Sequence, residues 1–218
     1  MNATDYKTEI ERRFLSGESK ANIIDYVSEL NLTVDIENEL LDIVTEGEVT
    51  AMADIARKMR DGERNELMIL VTFQCALRIS ETLQITKQNR AVTVDGKHRL
   101  FIMGKGHKPR VIAIPEAISF KLGDYIGRTG LAETDRVFQI TRQRAWKIIK
   151  QCAVAAGIEK RVYCHLLRHG GAIARLKRSG NPKSLQIHLG HADFKMTMRY
   201  LSTLQVIESL DIEDKVKF

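Results

Sequence analysis

Long apolar runs are missing from this sequence, and no stretch approaches the ~18 consecutive apolar residues of a membrane-spanning helix, so a helical membrane span is not expected. Cysteine is scarce. Cys75, Cys152 and Cys164 are odd in number and none belongs to a C-x-x-C pair, which argues against both a disulfide scaffold and a structural zinc site. A reduced, cytoplasmic chain is the simplest account. The opening residues, MNATDYKTEIERRF, hold no apolar core of the kind a signal peptide requires. H-E-x-x-H and G-x-G-x-x-G are absent, and no two acidic residues stand at a metal-binding spacing. The one lysine flanked by glycines, in GKGHK, lacks the trailing Gly-Lys-Ser/Thr of a phosphate loop, so an ATPase reading fails. Neither a cofactor nor a metal is expected. Internal repeats and low-complexity segments are also missing.

What is present is a globular composition, 44% hydrophobic and 28% charged over 218 residues, enough for one full domain with an appendage or two small domains. The net charge of +6 hides an uneven split. Residues 1–48 hold 12 acidic and 4 basic side chains, whereas residues 49–218 hold 30 basic and 16 acidic. A body this basic suits a polyanion, most often nucleic acid. The acidic head does not suit the same surface.

Apolar spacing predicts short helices near 5–15, 20–30 and 35–45, then a boundary near TEGE at 45–48. Beyond it, helices are expected over 49–60 and 63–77, the second apolar on most sides (LMILVTFQCAL) and therefore buried. AVTVDGKHRLFIMG reads as two strands turning at Asp95-Gly96, and PRVIAIP as a third strand. Helical spacing returns at 116–126, 141–156, 165–179, 182–189 and 193–201. The expected fold class is α+β, mainly α-helical, with one small antiparallel three-stranded sheet.

Several polar residues stand out against this background. Arg78 closes an apolar segment and has Glu81 one turn on, which fits either a local ion pair or a ligand for an anion. Lys105 sits between two glycines in the connection joining two strands, with Lys108 beyond it; such a tip is either solvated or free to swing toward an anion. His165 and Arg168 share a helical face, with His169 directed elsewhere. His191 precedes a polar break, and Tyr200 follows nine residues later. Taken together, the set suffices for phosphoryl transfer. Two guanidiniums can clamp phosphate oxygens, two imidazoles can hydrogen-bond or move protons, a lysine can protonate a leaving oxygen, and a phenol can attack phosphorus.

In order and spacing these residues resemble the tyrosine recombinases, the phage integrase family, and within it the Xer-like branch. The likeness rests on ALRISE (76–81), GKGHKPRVIAIP (104–115), HLLRHGGA (165–172) and LGHADFKMTMRYLS (189–202), with ITRQRAWKIIKQCAVAAGI (140–158) matching the helix before the second box. The resemblance implies that Arg78 and Arg168 clamp the phosphate, with Glu81 supporting the first arginine. Lys105 becomes the general acid toward the leaving 5′ oxygen. His165 is a general base or phosphate hydrogen-bonder, His191 a second such position, and Tyr200 the nucleophile that forms a 3′-phosphotyrosyl link. It further implies a site-specific recombinase acting on double-stranded DNA without metal or ATP, assembled as a tetrameric synapse, and found in the cytoplasm with the nucleoid. A type IB topoisomerase-like enzyme and a DNA-binding regulator derived from a recombinase are the alternatives.

Three departures from the family pattern occur. Gly170 and Gly171 replace a Ser or Thr followed by an aromatic residue, and either loosen the helix or allow a close backbone approach. His188 stands where an apolar residue is usual, and reads as either a packing residue or a DNA contact. The head over 1–48 is too short and too acidic for the family's core-binding domain; it fits a reduced domain, a protein contact or an autoinhibitory mimic of DNA charge. Residues 49–202 are the expected catalytic domain, and 203–218 a tail that docks on a neighbouring protomer. Arg144, Lys147 and Lys150 repeat at i, i+3 along the helix over 141–156 and, with Arg142, Lys108 and Arg110, are the expected DNA contacts. Arg175, Lys177 and Arg178 are expected to extend this positive surface.

Overall fold

The computed structural model describes residues 12–13, 43–104, 106 and 108–213. The chain divides into two units, Met1–Asp42 and Ile43–Phe218. Apart from residues 12–13, the helices expected before residue 43 lie outside the described residues, as do Lys105 and His107. None of the described helices is long and apolar enough to cross a membrane.

The second unit begins with helix α1, Glu46–Arg57, three residues earlier than the apolar spacing suggests. The reason is a capping box: the Thr45 hydroxyl accepts from the Glu48 N–H at 3.3 Å, and the Glu48 carboxylate accepts from the Thr45 N–H at 2.8 Å. TEGE is thus a helix start. Helix α2, Gly62–Gln74, buries Leu67, Met68, Ile69, Val71 and Phe73, as its all-round apolarity requires. It stops three residues short of the expected 77, because Ala76 adopts φ 49°. That left-handed residue costs roughly 1–2 kcal/mol without glycine, and it closes the helix through Leu77 N–H to the Thr72 carbonyl at 3.0 Å. Arg78 consequently belongs to the next element, as the N-cap of the short helix α3, Ile79–Thr82.

The three strands β1 (Arg90–Val92), β2 (His98–Met103) and β3 (Pro109–Ala113) form one antiparallel sheet in the order β1-β2-β3. The β1–β2 turn has Gly96 at φ 73°, as a Asp-Gly turn pair demands. Leu100, Ile102 and Ile112 face the core, while Phe101, Met103 and Val111 face outward. Helices α4 (Glu116–Thr129), α5 (Arg142–Ala155), α6 (Cys164–Ser179), α7 (Pro182–Leu189) and α8 (Lys195–Glu213) complete the unit. Helix α8 runs well past residue 201, so residues 203–213 continue the helix that carries Tyr200.

The main core joins α1, α2, the sheet, α4, α5 and the start of α6 through residues such as Met68, Leu100, Ile112, Leu122, Ile148 and Leu167. Each fully buried Leu or Ile contributes ~1.5–3 kcal/mol. A second cluster joins α6, α7 and α8 through Ile173, Leu176, Leu185, Leu189, Tyr200 and Leu204. Gly170 and Gly171 explain how α6 lies so close to α2. A Cβ on Gly171 would stand 1.9 Å from the Phe73 carbonyl oxygen, and one on Gly170 would stand 2.2 Å from that of Val44. The pair serves a close backbone approach. The seating brings the second turn of α6 against the end of α2, where Arg78 begins.

Candidate active site

One carboxylate organises the site. Glu81, in α3, is almost wholly buried and accepts from three arginines. Arg78 Nη1 reaches Oε1 at 2.9 Å, Arg110 Nη1 and Nη2 reach Oε1 and Oε2 at 2.9 and 3.0 Å, and Arg168 Nη1 reaches Oε2 at 3.3 Å. Oε2 also accepts the Arg78 backbone N–H at 2.9 Å. Burial raises the Glu81 carboxyl pKa, but the hydrogen bonds from Arg110 and the Arg78 N–H, with the Arg110 and Arg168 charges, more than reverse this and hold it below its ordinary value. Three guanidiniums against one carboxylate leave a surplus of two positive charges. Arg78 and Glu81 do form the local ion pair the sequence allowed, yet that pair is one part of a larger cationic cluster.

Arg168 is the deepest member, 1% exposed, and its other bonds aim it. Nη1 donates to the Ala76 carbonyl at 3.1 Å and Nη2 to the Leu189 carbonyl at 3.0 Å. The strained turn at Ala76 therefore supplies an acceptor at the point where α6 meets the end of α2. Burial, with the Arg78 charge alongside, lowers the Arg168 pKa to about 10, which leaves it cationic at neutral pH.

His191 follows Gly190, which caps α7 in the left-handed region at φ 66°. Its Nε2 lies 3.4 Å from Arg168 Nη2 and its Nδ1 3.0 Å from Thr197 Oγ1. A guanidinium only donates, so Nε2 accepts and Nδ1–H donates to Thr197; the ring is held neutral in one tautomer. Burial, then the Arg168 and Arg78 charges, lower its pKa to about 4. The polar break at 192–194 separates His191 from α8, whose first turn is closed by Asp193 Oδ1 accepting the Lys195 N–H at 2.8 Å.

Tyr200 lies in the second turn of α8 and is 5% exposed. His191 stacks on its ring at 5.9 Å between centroids and 12° between planes, and His169 packs against it at 4.8 Å and 45°. Burial raises the pKa of the hydroxyl; the charge and hydrogen bond of Arg168, and the Arg78 charge, draw it part of the way back. His165, in the first turn of α6, is exposed, and partial withdrawal from water with the Arg168 and Arg78 charges lowers its pKa. Arg78, His165, Arg168, His191 and Tyr200 are therefore brought within electrostatic reach of one another. Beside them a cleft of about 350 Å³ is lined by Arg78, Ser80, Glu81, Gln84, Met103, Gly104 and Gly106. Lys105 itself lies outside the described residues.

The structure corrects several expectations. Arg110 is drawn inward rather than set on the surface with the other expected DNA contacts. Its side chain is 11% exposed, its fork is taken up by Glu81, and its Nε donates to the His188 carbonyl at 2.9 Å. His169 does not point away, because the turn of α6 places its ring on Tyr200. For His188 the structure takes the packing alternative, not the DNA contact. A carbonyl can only accept, so His188 Nε2–H donates to the Cys75 carbonyl at 2.8 Å. Arg175 is drawn inward to the Gln74 and Ala113 carbonyls at 2.9 and 3.2 Å, and Arg178 pairs with Glu46 at 2.6 Å. Sequence reasoning also missed Thr197, which fixes the His191 tautomer; its position two residues into α8 was the available signal.

The remaining expected DNA contacts stay on the surface. Arg142, Arg144, Lys147 and Lys150 are all exposed on α5, which contains no acidic residue, and Lys108 is exposed before β3. Trp146, the only tryptophan, lies among them at 42% exposure with Lys150 Nζ 5.4 Å from its ring centroid.

A profile of the phage integrase family matches residues 42–205. The chain is 30% identical over 176 residues to the tyrosine recombinase XerD of Oceanobacillus iheyensis (strain DSM 14371 / CIP 107618 / JCM 11309 / KCTC 3954 / HTE831), which covers 75% of this chain and 58% of that protein. It thus spans little more than half the length of the curated relatives it matches. Among solved structures, the XerH site-specific recombinase bound to difH substrate shares the fold at a TM-score of 0.63 and 21% identity, over 73% of this chain and 49% of that one. The catalytic domain of bacteriophage HP1 integrase does so at a TM-score of 0.58 and 20% identity, over 74% and 87%.

Proposed function

Because the chain belongs to the phage integrase family, we propose that it is a site-specific DNA strand transferase of the tyrosine recombinase type. The observation that carries this reading is the Glu81-centred cluster, with its surplus of two positive charges set beside Tyr200. A phosphodiester carries one negative charge, and the five-coordinate phosphorane reached when an oxygen attacks it carries two. A cluster matched to the second lowers the barrier, because it binds the transition state better than the ground state.

In the reaction, Arg78 and Arg168 hold the non-bridging oxygens of the scissile phosphate. The Tyr200 oxygen forms a bond to phosphorus, and the bond from phosphorus to the 5′ oxygen breaks. His165, neutral at physiological pH, accepts the phenol proton, and Lys105 gives a proton to the leaving 5′ oxygen. His191 keeps its lone pair on Arg168, which orients that guanidinium. The phosphotyrosyl bond conserves the energy of the diester, and attack by the 5′ hydroxyl of another strand reverses the step and frees Tyr200. Arg168 and Tyr200 are both nearly closed to solvent in the free chain, at 1% and 5% exposure, so their contact with a DNA phosphate requires the start of α8 to shift when DNA binds.

The basic face of α5 supports contact with double-stranded DNA through phosphates. XerH is described bound to its difH substrate, and the present chain is read as acting on a duplex in the same manner. Strand exchange pairs two such duplexes, so the working assembly is a tetrameric synapse, acting in the cytoplasm on nucleoid DNA. The test is a duplex nicked beside the scissile phosphate, its sequence recovered by binding selection from a random pool. A covalent protein–DNA adduct that forms in wild type and is lost in Tyr200→Phe supports the reading. Specific binding without any adduct makes the protein a DNA-binding regulator.

A further inference from the structure

His191 is held by two helices at once. Its backbone is fastened to α7, where its N–H donates to the Gln186 carbonyl and its own carbonyl accepts from Gln186 Nε2, both at 3.2 Å. Its ring is held by α8, because Nδ1 lies 3.0 Å from Thr197 Oγ1 and the ring face stacks on Tyr200. Thr197 and Tyr200 stand at i and i+3, so both grips come from one face of one helical turn. A stacked ring makes no distinction between the two imidazole nitrogens. That choice falls to Thr197 on one side and Arg168 on the other. The Nη atoms of Arg168 meet the Ala76 and Leu189 carbonyls, Glu81 Oε2 and His191 Nε2. The three oxygens can only accept, whereas the imidazole can present either a lone pair or an N–H. Its contact is also the longest of the four, at 3.4 Å, and so the most easily lost.

We infer that Thr197 is a positioning residue: by accepting Nδ1–H it keeps the His191 Nε2 lone pair on Arg168, and so ties the aim of the phosphate-holding guanidinium to the helical turn that carries the nucleophile. When the start of α8 moves to present Tyr200, the hydrogen bond turns the His191 ring with it while Gln186 holds the backbone. The guanidinium is thereby re-aimed in step with the attacking oxygen. Without the hydroxyl, Nδ1–H faces a methyl group in a buried site, where an unmade hydrogen bond is costly. A proton carried on Nε2 instead points an N–H at a cation. Either way Arg168 loses a fixed acceptor. Valine keeps the branched shape of threonine and causes this loss; serine keeps the oxygen and avoids it.

The inference rests on the strand-transfer reading, and two measurements keep them distinguishable. The first needs no DNA: nitrogen-15 spectra of the histidine rings at neutral pH report which ring nitrogen carries the proton. His191, assigned by the signal missing from His191→Asn, is expected as the neutral Nδ1–H tautomer in wild type and in Thr197→Ser. Thr197→Val should lose that tautomer's signature. A wild-type ring protonated at Nε2 overturns the inference, whether or not the valine variant folds. The second measurement is single-turnover cleavage of the selected nicked duplex at saturating DNA. Thr197→Val is expected to cleave ~10–100-fold more slowly than wild type, the scale seen when a metal-bound histidine loses the partner that orients it, with duplex affinity unchanged. Thr197→Ser should stay close to wild type. A loss in Thr197→Ser as large as in Thr197→Val, or a valine variant that cleaves at the wild-type rate, overturns the inference as well. If wild type forms no Tyr200-dependent adduct, the strand-transfer reading itself falls and takes the role in cleavage with it, even where the tautomer is the expected one.

Discussion

Replacing Glu81 by Gln isolates the electrostatic core of the site, because the side chain keeps its shape and loses its charge. The structure sets the size of the effect. Five donors converge on the two carboxylate oxygens, between 2.9 and 3.3 Å. An amide offers one oxygen and turns an NH₂ toward the rest, so at least two donors lose their acceptor. Arg78, about a third exposed, can rehydrate; Arg110 and Arg168, at 11% and 1%, cannot. Breaking a buried ion pair from one side costs ~3–5 kcal/mol, and the partial rehydration of Arg78 favours the lower end. For a unit of this size each kcal/mol moves Tm by ~2–4 °C, so Glu81→Gln should melt roughly 6–12 °C below wild type. Thermal unfolding followed by far-ultraviolet circular dichroism measures it. Sulfate, which has the shape of phosphate, should recover more of the loss in the variant than it adds to wild type. A drop below ~1 kcal/mol, with no difference in sulfate response, would mean that water already satisfies these arginines and that the carboxylate is not the organising group.

Three further outcomes follow from other parts of the unit. His169, His188 and His191 each have pKa values lowered to about 4, first by burial; the unfolded chain, titrating near ~6.5, therefore takes up protons first, and stability should be full above that pH and fall toward pH ~4, by up to ~1.4 kcal/mol per pH unit for each ring. Urea unfolding at stepped pH checks this, and a flat profile between about pH 6.5 and 4.5 refutes it. Gly171→Ala drives a Cβ to within 1.9 Å of the Phe73 carbonyl and should destabilise by ~1–3 kcal/mol, whereas Gly127→Ala, in α4 with nothing within 4 Å, should stabilise by up to ~1 kcal/mol; equal denaturation midpoints for the two variants would refute the close-approach account. Neutralising Arg144, Lys147 and Lys150 together should lower the slope of log affinity against log salt by up to ~3, measured by titrating duplex DNA against the intrinsic fluorescence of Trp146; an unchanged slope removes α5 from the DNA surface.

The helices and the sheet were legible because their apolar periodicities and turn residues agree with the packing that finally buries them. What misled was local. Nothing in QCALRISE marks Ala76 as left-handed, since the conformation is imposed by the tertiary contact in which its carbonyl meets Arg168. The helix therefore seemed to run on, and Arg78 was placed at its end instead of at the start of the next. In PRVIAIP, Arg110 shares a face with Ile112, but Val111 and Ala113 make the other face equally apolar. Only the seating of β3 over Glu81 shows which one turns inward. For His169 the failure was angular: a position one residue beyond Arg168 on α6 faces α8, whose own course past residue 201 could not be read before its packing was known.

Residues so far apart in sequence converge because Glu81 is placed where α3, β3 and α6 meet. A buried carboxylate with one arginine would be a neutral pair and could do no more than hold two elements together. With three, the same carboxylate fixes the elements and still leaves a surplus of two positive charges. That surplus is tolerable in the free chain because the exposed edge of Arg78 is solvated, at 31% exposure, while the interior members are bound to carbonyls as well as to Glu81. It follows that the stability and the proposed chemistry draw on the cluster in opposite directions. An added carboxylate near Arg78, such as Gln84→Glu at the lip of the cleft, would relieve the repulsion and should raise Tm. It would also cancel part of the charge meant for the phosphorane, and so should slow strand cleavage more than it weakens DNA binding. A variant that gained stability and kept its cleavage rate would show that the surplus charge is not what the reaction uses.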